Sequence, residues 1–240
     1  MIWRLVISFS LLLSLAQPRP ARAAAVKGEV ELANSKDGAA RRRKDYSGVV
    51  IWLEPVDRPA PALVPKREKM IQRDKRFIPH VVAISVGSSV DFPNDDLVYH
   101  NAFSNFSGQA FDLGLYPPGT SKPILLKRPG IVRVFCNIHP TMSAIIAVVD
   151  TPWFAVTEAT GRFSIANVPP GRYNLHIYHE RALEDNLHFL EHEVTVPEGG
   201  LTLPLISVTE TGFIPAPHPN KYGKEYPPAP NSASYPGAPK

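Results

Sequence analysis

The 240-residue sequence contains a single cysteine, and no long stretch of it has the periodicity of an amphipathic helix. One cysteine cannot form an internal disulfide. It is therefore a buried inert thiol, one half of an intermolecular disulfide, a nucleophile or a metal ligand. The 26 prolines also argue against long helices. Many short runs of Val, Ile, Phe, Tyr and Thr stand between glycines and prolines, and this pattern predicts an all-β fold.

Strong charge of one sign is also absent. The net charge is +4, and the first 23 residues contribute three arginines and no acid to it. The basic cluster Arg41-Arg42-Arg43-Lys44 is short and has no interleaved aromatics, so we interpret it as a solvated loop and expect no nucleic-acid partner. No Ser-His-Asp or paired-carboxylate motif stands out, and we do not expect an enzyme.

Residues 1–23 resemble a secretory signal peptide. Arg4 supplies the positive charge, residues 5–15 are apolar, and Ala21-Arg22-Ala23 has the form of a cleavage site. A retained membrane anchor is the alternative, but the apolar run is shorter than the roughly 20 residues that a membrane span needs. We therefore expect an exported protein, periplasmic or otherwise, with no membrane span in the mature chain.

The cysteine lies in VFCNIHPTMSAIIAVVD, residues 134–150, and shares a short loop with two other donors. Cys136, His139 and Met142 offer a thiolate, an imidazole and a thioether, which together suit copper. One loop cannot surround an ion, so a second imidazole must come from elsewhere, and His100 follows a strand and a turn. A lone cysteine or methionine beside an apolar run is usually a core residue, but the joint spacing favours a metal site.

Residues 66–150 resemble the cupredoxins, the blue copper proteins, and the short ligand loop is most similar to that of amicyanin. Besides this loop, the segments that carry the resemblance are VVAISVG, VDFPN, the His100-Asn101 pair and KRPGIVRVFC. The resemblance implies a Greek-key β-sandwich that holds one type-1 copper ion. The ion would be bound by His100, Cys136, His139 and a weak axial Met142, and it would carry single electrons by cycling between Cu(I) and Cu(II).

The resemblance also implies roles for neighbouring residues and partners. The Asn101 side chain would tie the His100 loop to the backbone near Cys136, although a turn asparagine holding its own backbone is the alternative. Pro140 would stiffen the ligand loop and lie on an exposed apolar patch around His139, where a redox partner docks. By analogy, that partner would be a cytochrome c or a dehydrogenase.

Residues 153–208 resemble the carboxypeptidase regulatory-like domain, a small prealbumin-type β-sandwich. The resemblance rests on GRFSI and VPPGRYNL. The two early strands of that family have counterparts in residues 26–56, in KGEVEL and GVVIWLE. We therefore predict a discontinuous domain with the cupredoxin inserted into it. The alternative is that the early strands extend the cupredoxin sheet. Residues 214–240 are rich in proline and are predicted to form a disordered or extended tail.

Two other functions remain open at this point. One is a periplasmic copper-handling protein that uses the same ligands, and the other is a cell-surface binding module in which the cupredoxin is structural. The remaining histidines do not help to choose. His80 is expected to be structural. His176 and His179 are an odd number apart on a strand and are expected to face opposite sides, so they cannot share an ion, while His188 and His192 are expected at the surface. A second metal site at His188 and His192 is a minor alternative.

Overall fold

A computed structural model describes residues 24–35, 42, 44–105, 109–211 and 218–226. The signal-peptide prediction falls on residues 1–23, outside the described residues, and so do Arg41 and Arg43 of the basic cluster. The strands are β1 (Ala24–Ala33), β2 (Val50–Pro55), β3 (Arg67–Lys69), β4 (Ile71–Arg73), β5 (Arg76–Ile78), β6 (Val81–Ser85), β7 (Ser89–Pro93), β8 (Phe103–Ser104), β9 (Phe111–Asp112), β10 (Ser121–Leu125), β11 (Gly130–Phe135), β12 (Ser143–Val149), β13 (Phe154–Val156), β14 (Arg162–Val168), β15 (Gly171–Tyr178), β16 (His192–Val196), β17 (Leu201–Thr202) and β18 (Ile206–Thr209).

The described residues are mostly in β-strands, and the helix α1 (Glu184–Leu190) lies among them. This helix departs from the all-β expectation. It has two acidic residues in its first turn but no side-chain cap, and Leu187 is its one buried residue. Isolated helices of this length are not stable in water, so the segment depends on Leu187 and the partly buried Leu190, which pack against a hydrophobic core of the neighbouring strands.

We call residues 66–150 the central region. One of its sheets has the strand order β6-β12-β11-β8-β9, another has the order β10-β7-β3, and β4 and β5 form a separate hairpin. Along β11 the side chains alternate, so that Val132, Val134 and the following Cys136 are all buried in the same core. The strand period therefore places the thiol in the interior rather than in a surface loop.

We call residues 24–56 and 153–209 the terminal region. In it, β1 pairs with β14, β17 and β18, while a second sheet has the order β13-β2-β15-β16. The early strands β1 and β2 thus pair with strands that follow the central region, and they share one buried core with them. In the described chain, this core and the central core have no residue in common.

The two regions meet where the chain passes from one to the other and at side-chain bridges that include His80 with Glu180. Thr151 Oγ1 donates to the carbonyl of Leu53 at 2.8 Å, and Ser85 Oγ donates to the carbonyl of Thr151 at 3.4 Å. His80 Nε2 lies 2.9 Å from Glu180 Oε1. The central region is therefore joined to the terminal region by hydrogen bonds around the connector at residues 150–152.

One histidine of the terminal region is buried. His179 is 3% exposed, and its Nε2 lies 2.6 Å from Glu210 Oε1, which also accepts from Arg181 Nε at 2.7 Å. The terminal core thus contains a buried ionic cluster at the end of β15. No helix among the described residues is long and apolar enough to cross a membrane.

Candidate metal centre

Two loops of the central region bring the predicted ligands together. His100 lies beyond β7, and its backbone exchanges hydrogen bonds with that of Tyr116 at 3.1 and 2.9 Å. Cys136, His139 and Met142 lie in the loop that joins the paired strands β11 and β12. That loop is closed by hydrogen bonds from the Cys136 N–H to the Met142 carbonyl and from the Met142 N–H to the His139 carbonyl, at 3.2 and 3.0 Å.

The donor atoms face one another inside the protein. Cys136 Sγ lies 3.8 Å from His100 Nδ1 and 3.5 Å from His139 Nδ1, and the three donor atoms lie within 4.8 Å of one another. His100 and Cys136 are 0% exposed, Met142 is 1% exposed and His139 is 8% exposed. The sequence-based ligand set is thus assembled in one buried place.

The chemistry of these donors fits copper. Burial raises the pKa of the Cys136 thiol, while the backbone N–H groups of Ile138, Asn101 and His139 favour the thiolate. Burial also lowers the pKa of His139 to about 4, so its imidazole is neutral at pH 7, the form that binds metals. A thiolate, two neutral imidazoles and a thioether are the donors of electron-transfer copper. His100, Cys136, His139 and Met142 cluster as a type-1 copper site.

Asp96 orients the first imidazole, a role that the sequence analysis missed. Its Oδ2 lies 2.6 Å from His100 Nε2. Burial by itself would raise the pKa of Asp96, but hydrogen bonds from Lys75, His100 and Asp74 outweigh it and lower the pKa. The carboxylate can only accept, so His100 Nε2 must carry the hydrogen and Nδ1 turns its lone pair toward Cys136.

The carboxylate of Asp96 is itself held by a tight turn. The backbone N–H groups of Asp74 and Lys75 donate to it at 2.7 and 2.9 Å. Both residues have φ near 54°, as the two central residues of the β4–β5 hairpin. In the sequence, the role of Asp96 is indicated only by its position four residues before His100, and the segment PNDD is equally typical of an ordinary turn.

Asn101 joins three loops around the site. Its Oδ1 accepts from the backbone N–H of Asn137 at 3.2 Å, and its Nδ2 donates to Asp112 Oδ1 at 2.7 Å and to the Gly114 carbonyl at 3.0 Å. The first of these bonds links the His100 loop to the backbone next to Cys136. Such outer contacts fix the orientation of metal ligands.

The predicted open edge at His139 is wrong. His139 is 8% exposed, its Nε2 is buried without a hydrogen-bond partner among the described residues, and Pro140 is half-buried. The resemblance implied that this imidazole lies on a docking face, because the sequence of the ligand loop does not show which distant segments pack against it. In this chain, residues 218–226 lie near the loop, inside the segment 214–240 that was predicted to be disordered.

The other histidines form no comparable group in the described structure. His188 lies 3.0 Å from Glu191 Oε2, and His192 Nδ1 lies 2.8 Å from the carbonyl of Leu190. Among the residues that the structure covers, His100, Cys136 and His139 form the one cluster of three or more His, Cys, Asp or Glu donors with metal-binding distances.

Comparisons with known proteins find partial likenesses. No family model matches the chain. Over 56 residues it is 41% identical to the methylamine utilization protein MauL of Methylorubrum extorquens. This stretch is 23% of the chain and 49% of MauL, so the chain spans about half the length of the curated relative it matches.

Solved structures of copper proteins also match part of the chain. A Cu-containing nitrite reductase (NirK) from Thermus scotoductus SA-01 aligns with 40% of the chain at 30% identity and a TM-score of 0.34, and the alignment covers 25% of the reductase chain. Amicyanin from Paracoccus versutus aligns with 40% of the chain at 21% identity and a TM-score of 0.32, over 91% of its own length.

Proposed function

We propose that this protein is an exported type-1 copper protein that carries single electrons, and that its central region is a cupredoxin domain. The observation that carries the proposal is the buried convergence of His100 Nδ1, Cys136 Sγ and His139 Nδ1, with Met142 in the same core. Copper, when bound, supplies a one-electron couple between Cu(II) and Cu(I).

The surroundings of the ligands suit an electron carrier. Asp96 fixes the His100 ring, Asn101 fixes the backbone after Cys136, and the loop hydrogen bonds fix His139 relative to Met142. These contacts do not depend on the charge of the ion, so they favour one ligand arrangement in both oxidation states. A rigid, dry site of this kind needs little rearrangement when an electron arrives or leaves. We do not propose that the protein transforms a substrate.

The terminal region would be the discontinuous prealbumin-type domain into which the cupredoxin is inserted. The pairing of β1 with β14 and of β2 with β15 supports this proposal, because residues 24–56 then complete a core with residues 153–209. Export would follow from the signal-like residues 1–23. A cytochrome c or a dehydrogenase is the redox partner class we propose, by analogy with the cupredoxins.

Copper handling is the second candidate, and the burial of His139 favours it. A carrier exchanges electrons fastest through an exposed ligand edge, whereas this imidazole is 8% exposed. The two functions differ in rate. A carrier exchanges electrons rapidly between its oxidised and reduced forms and retains copper against a chelator, while a handling protein exchanges electrons slowly and releases the ion readily.

Titration of the metal-free protein with Cu(II), followed by visible absorption, tests the proposal. We expect an intense blue charge-transfer band that saturates at one equivalent, because the Cys136 thiolate binds the ion directly. Cys136→Ser should abolish the band, and the control His192→Gln, at an exposed histidine outside the site, should retain it. A protein that stays colourless and takes up no copper would contradict both the carrier and the handling function.

A further inference from the structure

Residues 218–226, which we call the strap, have an ordered structure of their own. Asn220 donates its N–H to the Lys224 carbonyl at 2.8 Å, and its own carbonyl accepts from the Gly223 N–H at 2.9 Å. Its side-chain Oδ1 accepts from the N–H groups of Tyr222 and Lys224 at 2.9 and 3.1 Å. Gly223 has φ of 73°, which favours glycine in the turn. The strap is thus a compact turn, although it lies in a proline-rich part of the sequence.

The strap contacts the peptide group next to the cysteine ligand. The Tyr226 hydroxyl donates to the carbonyl oxygen of Cys136 at 2.7 Å. On the other side of the same peptide group, the Asn137 N–H donates to Asn101 Oδ1. The backbone N–H of Lys221 donates to the Asn137 side chain at 2.9 Å. The peptide that follows Cys136 is therefore held between Asn101 and the strap.

Two further contacts attach the strap to the surroundings of the site. Lys221 Nζ lies 2.7 Å from Asp112 Oδ2, and the other oxygen of Asp112 accepts from Asn101. The His218 ring packs on Phe135, the residue before Cys136, with ring centroids 4.4 Å apart and planes 33° apart. The strap thus reaches both the cysteine loop and the network that holds the His100 loop.

We propose that Tyr226 and Lys221 are positioning residues of the metal site, and that the strap holds the Cys136 loop closed against solvent and external reagents. Its value for electron transfer rests on the proposed function, but its effect on access to the thiol does not. Because the chain contains one cysteine, any thiol modification reports on this loop alone. A buried thiol reacts through transient local opening, so its reaction rate measures how firmly the loop is held.

The test compares Tyr226→Phe with Tyr46→Phe in the full-length protein. Both substitutions remove a hydroxyl and keep the ring, but Tyr46 lies in the terminal region, where its backbone pairs with Ala159 and Thr157. In the metal-free protein we expect a disulfide reagent to modify Cys136 about fivefold faster in Tyr226→Phe, the effect of about one lost hydrogen bond. Tyr46→Phe should react at the wild-type rate. Lys221→Met, which removes the ion pair with Asp112 and keeps the aliphatic stem, should raise the rate in the same direction.

Copper-loaded protein gives the second readout. A strap that positions the cysteine peptide should alter the reduction potential in Tyr226→Phe, while the potential should be unchanged in Tyr46→Phe. Equal labelling rates and equal potentials in wild type, Tyr226→Phe and Lys221→Met would overturn the strap proposal while leaving the copper function intact. Faster labelling in a protein that binds no copper would instead support the strap and contradict the proposed function.

Discussion

The central and terminal regions each bury a cluster of polar side chains, and the two clusters differ in how their members are paired. In the terminal region Glu210 is 1% exposed and faces His179 and Arg181, so a negative group meets donors of hydrogen bonds. In the central region the Nδ1 atoms of His100 and His139 both face a sulfur atom, and all three atoms can bind a cation through lone pairs. The first cluster pairs its carboxylate with His179 and Arg181 inside the protein, with His179 Nδ1 and Glu210 Oε2 left without a hydrogen-bond partner among the described residues, whereas the second needs an ion to bring its donors together.

The terminal cluster is therefore expected to affect stability, and the central cluster is expected to affect copper binding. Breaking the terminal cluster should destabilise the fold and leave copper binding unchanged. Changes at the central cluster should act on copper more than on the fold. Of the four predictions that follow, two concern the Glu210 cluster, one concerns the metal-ligand cluster and one concerns the bridge between the two regions.

Glu210→Gln should have the largest effect on stability. Burial by itself would raise the pKa of Glu210, but hydrogen bonds from His179, Ser35 and Arg181 outweigh it and lower the pKa to about 2. Removing the charge leaves Arg181 without its anion, and we expect a loss of about 3 kcal/mol in the free energy of unfolding. Urea unfolding at pH 7 measures this loss, and visible titration should show unchanged copper binding.

The interactions of Glu210 also predict how the stability of the fold depends on pH. The folded-state pKa lies below the unfolded value near 4.5, so the ionised carboxylate stabilises the fold fully above that pH. This contribution should disappear as the pH falls from about 4.5 to about 2, and the Glu210→Gln variant should lack that part of the acid transition. Identical pH profiles for the two proteins would show that the pair does not stabilise the fold.

Asp96→Asn should lower the affinity for copper. The amide keeps the shape but loses the charge that fixes the His100 tautomer, and we expect copper affinity to fall about 10- to 100-fold. Competition with a copper chelator measures the affinity. Asp95→Asn is the matched control. The Asp95 carboxylate is next to Asp96 in the sequence, but it pairs with Arg73 at 2.8 Å and is more exposed than the Asp96 carboxylate. Equal affinities in the two variants would contradict the role of Asp96.

His80→Gln should have the smallest effect. The bridge between His80 and Glu180 joins the two regions. The Glu180 side chain is 17% exposed but the His80 side chain is 45% exposed, and we expect such a partly exposed pair to contribute about 1 kcal/mol or less. We expect an unchanged copper band and a nearly unchanged urea midpoint, with exposed His192→Gln as the reference. A large loss, or separate unfolding of the two regions, would show that this bridge couples them.

The parts of this account that the sequence predicts are those that depend on local spacing. The Cys136, His139 and Met142 pattern lies in one loop, and the strand period alone turns Cys136 inward, so the ligand cluster was predicted and is confirmed. The alternation of apolar and polar residues and the glycines in KGEVEL and GVVIWLE likewise predict strands, and these segments lie in β1 and β2.

The parts that the sequence did not predict depend on contacts between distant segments. The role of Asp96 requires two backbone N–H groups from the turn at Asp74, more than twenty residues earlier in the chain. The burial of His179 requires Glu210, 31 residues later. Helix α1 lacks a cap and has one buried anchor, so its sequence resembles a polar loop.

X-ray absorption at the copper edge of the protein loaded with one equivalent shows whether the buried cluster binds the ion. We expect two nitrogen donors and one short sulfur donor, with a longer sulfur contact from Met142, and we expect the short sulfur to disappear in Cys136→Ser. A coordination shell of nitrogen and oxygen alone, unchanged in Cys136→Ser, would show that copper binds elsewhere and that the buried cluster is not its site.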